Sequence, residues 1–308
     1  MAILVMTAPI PAHSYLTALR AATDVPVWAP DDAHDAAAVE AILAWRLQPG
    51  ALARYPNLRV LCSVGAGVDK LLAAPDLPPG LPVTRSVDPG QHRQIAQYVV
   101  ACALQHLREL PRYRQQQAAA SWQRYPARPL AQCRIGVLGL GGVGETIARA
   151  FLPLGCPVAG WSRTRREMAD IEVFAGAAQL PQLLARTDVL VCALPLTPAT
   201  QGLLNQATLS QLPQGAYVIN IGRGEQLVEA DLRALLDADH LAGAALDVFE
   251  REPPPADNWV WSHPKLLATP HIAGEVSRAV VALQTLDALR RARAGEPQPL
   301  AVDRGAGY

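Results

Sequence analysis

The feature that most constrains the fold of this chain is a glycine-rich turn in the segment RIGVLGLGGVGETIARAF, residues 134–151. An apolar strand pattern precedes the turn, and a helical pattern with one apolar side follows it. Glycines spaced as GxGxxG permit a tight turn, close approach of the backbone to a pyrophosphate, and close packing of the helix on the strand. The amides at the start of the helix then face the phosphates. A glycine-rich turn alone is a weak signal, but its place between a strand and a helix predicts a dinucleotide-binding loop. The loop consists of Gly139, Gly141, Gly142, Val143 and Gly144.

Short apolar runs alternate with helical patterns throughout the chain, which is typical of an α/β protein with parallel sheets. The first third contains four predicted strands, in AILVMTA, AAVEAILAW, LRVLCSVG and LPVTRS. Six more follow Arg134, in RIGVLGLG, CPVAGWS, TDVLVCAL, GAYVINIG, LAGAALDVF and KLLATPH. These six, with helices between most of them, fit a doubly wound nucleotide-binding domain. Helical patterns also cover Gln91 to about Gln117 and Glu275 to about Arg293.

A chain of 308 residues has room for about two domains. The N-terminal strand series is too short to be complete, and the C-terminal helix is the segment that can complete it. We therefore predict two Rossmann-like doubly wound domains with parallel sheets. A discontinuous substrate-binding domain covers 1–96 and 275–308, and the dinucleotide-binding domain, 97–274, is inserted into it.

Composition indicates an ordinary globular protein. Half of the residues are hydrophobic, and the 27 Lys and Arg balance the 27 Asp and Glu, so we expect neither nucleic acid nor an anionic membrane as a partner. No apolar run approaches the roughly 18 residues of a membrane helix, and the N-terminus lacks a signal-peptide pattern, so we expect a cytoplasmic protein.

The five scattered cysteines predict small buried side chains in a reducing compartment; a catalytic thiolate or a metal site is the weaker alternative. The histidines lack metal-ligand spacing, and we predict no metal.

The segment GWSRTRRE, residues 160–167, lies where the second strand of such a domain ends near the adenosine ribose. An acidic residue there would accept hydrogen bonds from the ribose and repel a 2′-phosphate. Ser162, 18 residues after Gly144, is not acidic, and arginines at 163, 165 and 166 offer guanidinium groups that match phosphate. We predict that Ser162, Arg163 and Thr164 bind NADPH in preference to NADH, with NADH possible. The alternative is a solvated basic loop.

Three residues at predicted strand ends suit the reduction of a carbonyl group. Arg223 lies in a turn flanked by glycines, Glu252 precedes a proline run, and His271 follows a proline after the last strand. Loops after the carboxyl ends of parallel strands converge on one site. Arginine can bind a substrate carboxylate, histidine can donate a proton as hydride arrives, and a carboxylate can orient the imidazole. Each residue taken alone is more typical of a surface position, a turn or a packed loop than of a catalytic site.

Six segments, taken in order along the chain, resemble the D-2-hydroxyacid dehydrogenases over nearly the whole length of the chain. They are SVGAGVDKL, GxGxxG, LPLTPAT, NIGRG, ALDVFEREPPP and TPHIAG. Within this family, the chain is most similar to the bacterial NADPH-dependent glyoxylate/hydroxypyruvate reductase A type. The segments that carry this similarity are WSR, LPQGAYVINIGRG and VDRGAGY. The resemblance implies catalytic roles for Arg223, Glu252 and His271. It implies further cofactor contacts from Leu194, Pro195, Ile221 and Asp247, the last to the nicotinamide amide. It implies substrate contacts, besides those of Arg223 and His271, from Trp45, Val64, Gly65, Ala66 and Gly67.

The resemblance also implies a homodimer with a helical arm near Gln91 to Ala120, and Trp122 after the arm could reach the partner subunit's site. The predicted activity is NADPH-dependent reduction of glyoxylate to glycolate and of hydroxypyruvate to D-glycerate. A D-lactate type dehydrogenase and a nucleotide-sensing protein of the corepressor type are the alternatives.

Overall fold

The computed structural model describes residues 1–126 and 128–307, which form two compact units. The first unit comprises Met1–Gln91 together with the segment that begins at Glu275. The second comprises His92–Gly274. The domain boundary predicted between residues 96 and 97 lies five residues after the division between Gln91 and His92. Both positions are inside the continuous helix Pro89–Leu107, where the sequence pattern does not change.

The strands and helices are numbered along the chain. The strands of the first unit are β1 (Ala2–Met6), β2 (Val27–Trp28), β3 (Val39–Ala44), β4 (Val60–Ser63) and β5 (Val83–Thr84). Those of the second are β6 (Ile135–Leu138), β7 (Val158–Ser162), β8 (Glu172–Ala175), β9 (Val189–Cys192), β10 (Ala216–Asn220), β11 (Leu241–Leu246) and β12 (Leu266–Ala268). The helices are α1 (His13–Ala22), α2 (Asp69–Leu72), α3 (Pro89–Leu107), α4 (Leu110–Ala118), α5 (Gly142–Phe151), α6 (Leu180–Leu184), α7 (Gln206–Leu209), α8 (Glu229–Asp237) and α9 (Arg278–Ala294).

The first unit is a parallel five-stranded sheet in the order β2-β1-β3-β4-β5, one of the two common doubly wound orders. Helices α1 and α9 pack together over one face of the sheet. The buried side of α9 consists of Val281, Ala282, Thr285, Ala288 and Leu289, a regular helical spacing. Leu283, on the other side of α9, is 62% exposed. Strand β2 was not predicted because its two residues are too short to form an apolar run.

The second unit is a parallel seven-stranded sheet in the order β12-β11-β10-β9-β6-β7-β8. The order from β8 to β11 is that of a nucleotide-binding domain, and β12 extends it. The six predicted strands are present, and β8 is a seventh. The sequence missed β8 because this outermost strand, EVFA, begins on an exposed Glu172 and is not a continuous buried run.

The long helix predicted from Gln91 to Gln117 is two helices, α3 and α4. They are separated at Glu109, whose backbone is left-handed with φ 57°. A left-handed residue ends the helical hydrogen-bond series. Pro111, in the first turn of α4, is a sequence signal of this break that the prediction of one continuous helix overlooked. Helix α4 has no buried residue among those described.

All five cysteines are buried and unpaired, as predicted. Burial raises the pKa of the Cys62 thiol to about 11 and the pKa of the Cys192 thiol to about 12, so both stay protonated and unreactive near neutral pH. Within residues 1–126 and 128–307, no helix combines the length and apolarity that a membrane crossing requires.

One buried carboxylate connects β6 and β9 at the amino ends of the strands of the second unit. Asp188 accepts hydrogen bonds from the Arg134 backbone amide at 2.8 Å and from the Arg134 guanidinium at 2.9 and 3.0 Å, and Arg128 adds another at 3.0 Å. Burial by itself raises the pKa of Asp188, but the hydrogen bonds from Arg134 and Arg128 outweigh it and lower that pKa to about 2.

We expect Asp188→Asn to lower the free energy of unfolding at pH 7 by about 1–2 kcal/mol, the scale of partly screened charge-assisted hydrogen bonds. A carboxylate whose pKa is depressed by folding stabilises the protein above its unfolded pKa and loses this contribution as pH falls toward the folded value. The difference between parent and variant should therefore shrink between about pH 5 and pH 2. Urea unfolding at several pH values measures it. Asp239→Asn, which weakens the exposed ion pair with Lys265, is the control and should change stability little; a constant Asp188→Asn deficit at all pH values would contradict the assignment.

Candidate functional site

The predicted site residues of the second unit all follow the carboxyl ends of its strands. Because every strand is parallel, these ends lie at one edge of the sheet. The glycine loop follows β6, Ser162 ends β7, and Leu194 and Pro195 follow β9. Ile221 and Arg223 follow β10, Asp247 and Glu252 follow β11, and His271 follows β12. The sheet order reverses direction between β6 and β9, and ligands of open α/β sheets bind at such a switch point.

The three glycines of the GxGxxG loop have different structural reasons. Gly139 has φ +91°, and a Cβ there would lie 2.8 Å from the Ala193 carbonyl oxygen. A Cβ on Gly144 would lie 1.7 Å from the Gly139 carbonyl oxygen, so only glycine permits the packing of α5 on the turn. Gly141 has an ordinary φ of −70° and no atom within 4 Å of the position of its Cβ. The packing of the protein therefore leaves open a space beside Gly141, at the N-terminus of α5, where a pyrophosphate would fit.

The end of β7 is a basic turn, as the sequence indicated. The Ser162 hydroxyl donates to the Thr164 carbonyl oxygen at 2.6 Å, which closes the turn, and the side chains of residues 163–167 are exposed. Arg166 donates to the carbonyl oxygen of Leu140, a residue inside the glycine loop. The basic segment is thus connected to the phosphate loop by a side chain whose partner the sequence did not reveal.

Arg223 begins a turn held by two buried amide side chains. The Asn220 side chain accepts from the Gly222 amide and donates to the Arg223 carbonyl oxygen, both at 3.1 Å. The Gln226 side chain accepts from the Arg223 amide at 2.9 Å and donates to the carbonyl oxygens of Leu194 and Pro195 at 2.9 and 3.0 Å. Asn220 and Gln226 were not predicted; a polar residue at each end of the apolar-flanked GRG turn was the only signal for them.

His271 and Glu252, predicted as a pair, lie in direct contact. His271 Nδ1 is 3.0 Å from Glu252 Oε2, and Glu252 Oε1 accepts from the Phe249 amide at 3.3 Å. The two side chains are 36% and 30% exposed, so a ligand can reach them. Because Nδ1 faces the carboxylate, the pair can hold the imidazole in the tautomer that carries a proton on Nδ1.

The carboxylate of Asp247 holds the loop that carries His271. It is 2% exposed and accepts hydrogen bonds from the Thr269 hydroxyl at 2.6 Å and from the Ile272 and Ala273 amides, each at 2.8 Å. The Tyr98 hydroxyl, 2.7 Å from the Thr269 hydroxyl, extends the network. The family resemblance implies a contact from Asp247 to the nicotinamide amide, which stays a prediction; the role of Asp247 in this loop was not predicted.

The predicted substrate residues of the first unit form a second group. Trp45 follows β3 and residues 64–67 follow the adjacent strand β4; a Cβ on Gly65 would lie 3.2 Å from the Trp45 ring. The Ser63 hydroxyl donates to the Gly67 carbonyl oxygen at 3.1 Å, and the Ser86 amide donates to the Gly65 carbonyl oxygen at 3.0 Å. Val64 is buried, while Gly65, Ala66 and Gly67 are half-buried.

No cluster of three or more histidine, cysteine or acidic side chains suited to a metal ion occurs in the described part of the chain. The residues present fit a nicotinamide dinucleotide instead. The space beside Gly141 and the amides at the start of α5 suit its pyrophosphate, and the turn after β7 suits its ribose.

A sequence model of the NAD binding domain of D-isomer specific 2-hydroxyacid dehydrogenases matches residues 100–273. The chain is 38% identical, over 257 residues, to the glyoxylate/hydroxypyruvate reductase A of Klebsiella pneumoniae (strain 342), covering 82% of each protein.

Two solved structures resemble the whole chain. The D-isomer specific 2-hydroxyacid dehydrogenase from Xanthobacter autotrophicus Py2, in complex with NADPH and MES, is 39% identical with a TM-score of 0.94, covering 100% of this chain and 99% of that one. The NADPH-dependent glyoxylate/hydroxypyruvate reductase from Sinorhizobium meliloti, in complex with NADP and sulfate, is 33% identical with a TM-score of 0.93 and the same coverage. The doubly wound α/β fold predicted from the sequence is confirmed.

The glycine loop gives a paired prediction. Gly141→Ala should fold, because nothing contacts the new methyl group, and should lose only about 1 kcal/mol of stability, because alanine is a poorer N-cap than glycine. It should weaken dinucleotide binding at least about tenfold, or 1.4 kcal/mol, by occupying the pyrophosphate space. Gly144→Ala should lower both stability and affinity, because its methyl group overlaps the Gly139 carbonyl. Thermal melts and fluorescence titration measure these effects, with Gly80→Ala, in an open loop, as the control. Unchanged affinity in a folded Gly141→Ala protein would show that the open space is not a pyrophosphate site.

Proposed function

The chain belongs to the family of D-isomer specific 2-hydroxyacid dehydrogenases, and on that premise we propose that it reduces glyoxylate and hydroxypyruvate with NADPH. The products are glycolate and D-glycerate. Similarity to reductases of this activity in Klebsiella pneumoniae and Sinorhizobium meliloti supports the choice of substrates.

One observation carries the proposal most directly: the 3.0 Å contact between His271 Nδ1 and Glu252 Oε2 at the carboxyl edge of the sheet that also carries the glycine loop. A histidine whose Nδ1 is held by a carboxylate can donate a proton from Nε2. A proton donor beside a nicotinamide site is the arrangement that carbonyl reduction requires.

The proposed steps follow from these groups. Arg223 binds the carboxylate of the 2-oxo acid through its guanidinium fork and polarises the neighbouring carbonyl. NADPH held at the glycine loop and the turn after β7 would supply the hydride to the carbonyl carbon and would be oxidised to NADP⁺. His271 gives its Nε2 proton to the carbonyl oxygen, which becomes the hydroxyl of the product, and Glu252 stabilises the charged imidazole. Solvent then returns a proton to His271, so one carbonyl, one hydride and one proton yield one alcohol.

The smaller contacts follow the same proposal. The backbone amides of residues 64–67 contact the substrate carboxylate. Trp45, packed against Gly65, limits the size of the substrate side chain. Leu194, Pro195 and Ile221 line the cofactor, and Asp247 meets the nicotinamide amide.

The preference for NADPH rests on the turn after β7. Ser162 carries no negative charge that would repel a 2′-phosphate, and Arg163 follows it on the exposed side of the turn. The Xanthobacter autotrophicus and Sinorhizobium meliloti structures were solved with NADPH and NADP, which supports the same preference here.

We also propose a cytoplasmic homodimer whose arm, α3 and α4, contacts the second copy. The absence of buried residues in the described part of α4 supports this, as does Trp122, which is 96% exposed. Large aromatic side chains at such exposure are typical of interfaces.

The central test is NADPH oxidation at about 340 nm with a panel of 2-oxo acids. We expect turnover of glyoxylate and hydroxypyruvate, and His271→Ala should lower kcat about 10²–10⁴-fold while NADPH still binds. His13→Ala, an exposed histidine on α1, is the control.

Two outcomes would contradict the proposal. Near-normal turnover by His271→Ala would remove the proton-donor assignment. NADPH binding without turnover of any 2-oxo acid by the parent would favour a nucleotide-sensing protein.

Cofactor choice has its own test. Arg163→Ala should weaken the binding of NADPH by roughly 10- to 150-fold, since a charge-assisted hydrogen bond contributes about 1.5–3 kcal/mol. The binding of NADH, which has no 2′-phosphate, should be almost unchanged. Adding Ser162→Asp should turn the preference toward NADH by repelling the phosphate. Values of kcat/KM for both cofactors measure the effect, with Arg149→Ala, on exposed α5 surface, as the charge-matched control. A parent enzyme that prefers NADH would make the arginine cluster a solvated loop only.

A further inference from the structure

We propose that Gln226 is a positioning residue that fixes Arg223 and the Leu194–Pro195 segment relative to each other. The inference rests on the proposed function, because it concerns how the substrate-binding arginine and a cofactor-contacting segment are held. Gln226 itself is fully buried and touches neither substrate nor cofactor in this proposal.

The side chain of Gln226 bridges two loops. Its amide nitrogen donates to the Leu194 and Pro195 carbonyl oxygens, after β9, at 2.9 and 3.0 Å. Its carbonyl oxygen accepts from the Arg223 amide, after β10, at 2.9 Å. The Cys192 thiol donates weakly to the same oxygen at 3.4 Å. Each amide hydrogen and the amide oxygen therefore has a partner.

The packing around Arg223 leaves no room for a side chain at either neighbouring glycine. A Cβ on Gly222 would lie 2.3 Å from the Gln226 side-chain oxygen and 2.9 Å from the Leu194 carbonyl oxygen. A Cβ on Gly224 would lie 1.8 Å from the Phe249 backbone. The glycines on both sides of Arg223 thus let its backbone lie against the two neighbouring loops, and Gln226 supplies the hydrogen bonds that set its position.

A buried amide with every partner satisfied specifies one arrangement, since any shift of either loop leaves a buried polar group unpaired. The guanidinium of Arg223 extends from a backbone held in this way. A displacement of about 1 Å in a substrate-binding group can cost about 10²-fold in rate. Arg223 therefore depends on Gln226 for its place at the site.

The test replaces Gln226 by Met, which has similar volume and cannot make the hydrogen bonds. We expect kcat/KM for hydroxypyruvate to fall about 10- to 100-fold. The Kd of NADPH should rise less, about fivefold, because Leu194 and Pro195 lose only supporting hydrogen bonds. In the protein without ligands, amide hydrogen exchange in the peptide that contains Arg223 should become faster.

Thr187→Val is the matched control. Thr187 is 1% exposed, lies at the amino ends of the strands, and donates to the Leu183 carbonyl oxygen at 2.8 Å. Thr187→Val removes a buried hydrogen bond in the same unit and should leave kcat/KM and amide hydrogen exchange near Arg223 unchanged. If Gln226→Met does not fold, Gln226→Asn, which keeps the amide but shortens its reach, takes its place.

Exchange near Arg223 that is as slow in the folded Gln226 variant as in the parent would overturn the inference, and so would equal losses of kcat/KM in the Gln226 and Thr187 variants. A parent without turnover of any 2-oxo acid would instead remove the proposed function. Hydrogen exchange and NADPH binding would then still decide whether Gln226 holds the two loops.

Discussion

The parallel register of the seven-stranded sheet is the constraint on which the second unit depends. Its backbone hydrogen bonds continue past the strands: the Ile221 amide donates to Cys192, the Asp247 amide to Asn220, and the Thr269 amide to Leu246, at 3.0 to 3.1 Å. The first residues of the loops are therefore still part of the ladder. For this reason, residues distant in sequence begin their loops at one edge with their spacing already set by the distance between strands.

Buried polar side chains fix the conformation of the loops beyond the point where the sheet ends. Asn220, Gln226 and Asp247 are at most 2% exposed in a largely apolar interior, and each is hydrogen-bonded to backbone groups of the loops. An unpaired polar group at such depth costs about 1–3 kcal/mol. Alternative loop conformations would leave several of these groups unpaired at once. The three side chains therefore select one conformation of the edge, whatever their net contribution to stability.

Sequence reasoning located the features whose signal was local: the glycine turn between β6 and α5, the basic turn after β7 and the longer strands. The pair His271 and Glu252, which the structure brings into contact, was located from strand-end positions and from the family resemblance. The binding and catalytic roles of these residues stay predictions. Sequence reasoning failed for Gln226, whose partner Leu194 is 32 residues away, and for the loop contacts of Asp247, which join positions 22 to 26 residues apart. Strands β2 and β8 were missed because short or outermost strands bury too little to produce a pattern. The break at Glu109 was missed although Pro111, in the first turn of α4, is typical of a helix start.

The backbone of His271 shows how far this edge is held in place. His271 is left-handed with φ 55°, a conformation that costs a residue other than glycine about 1–3 kcal/mol. A loop free to relax would avoid that cost. Here Asp247 binds the amides of Ile272 and Ala273 immediately after His271 and the hydroxyl of Thr269 two residues before it, so both sides of His271 are fixed. The left-handed residue between them directs the imidazole toward Glu252, and the contact at 3.0 Å follows. The strain at His271 is thus offset by a carboxylate that the sheet itself places, and contacts within the protein set the orientation of the imidazole.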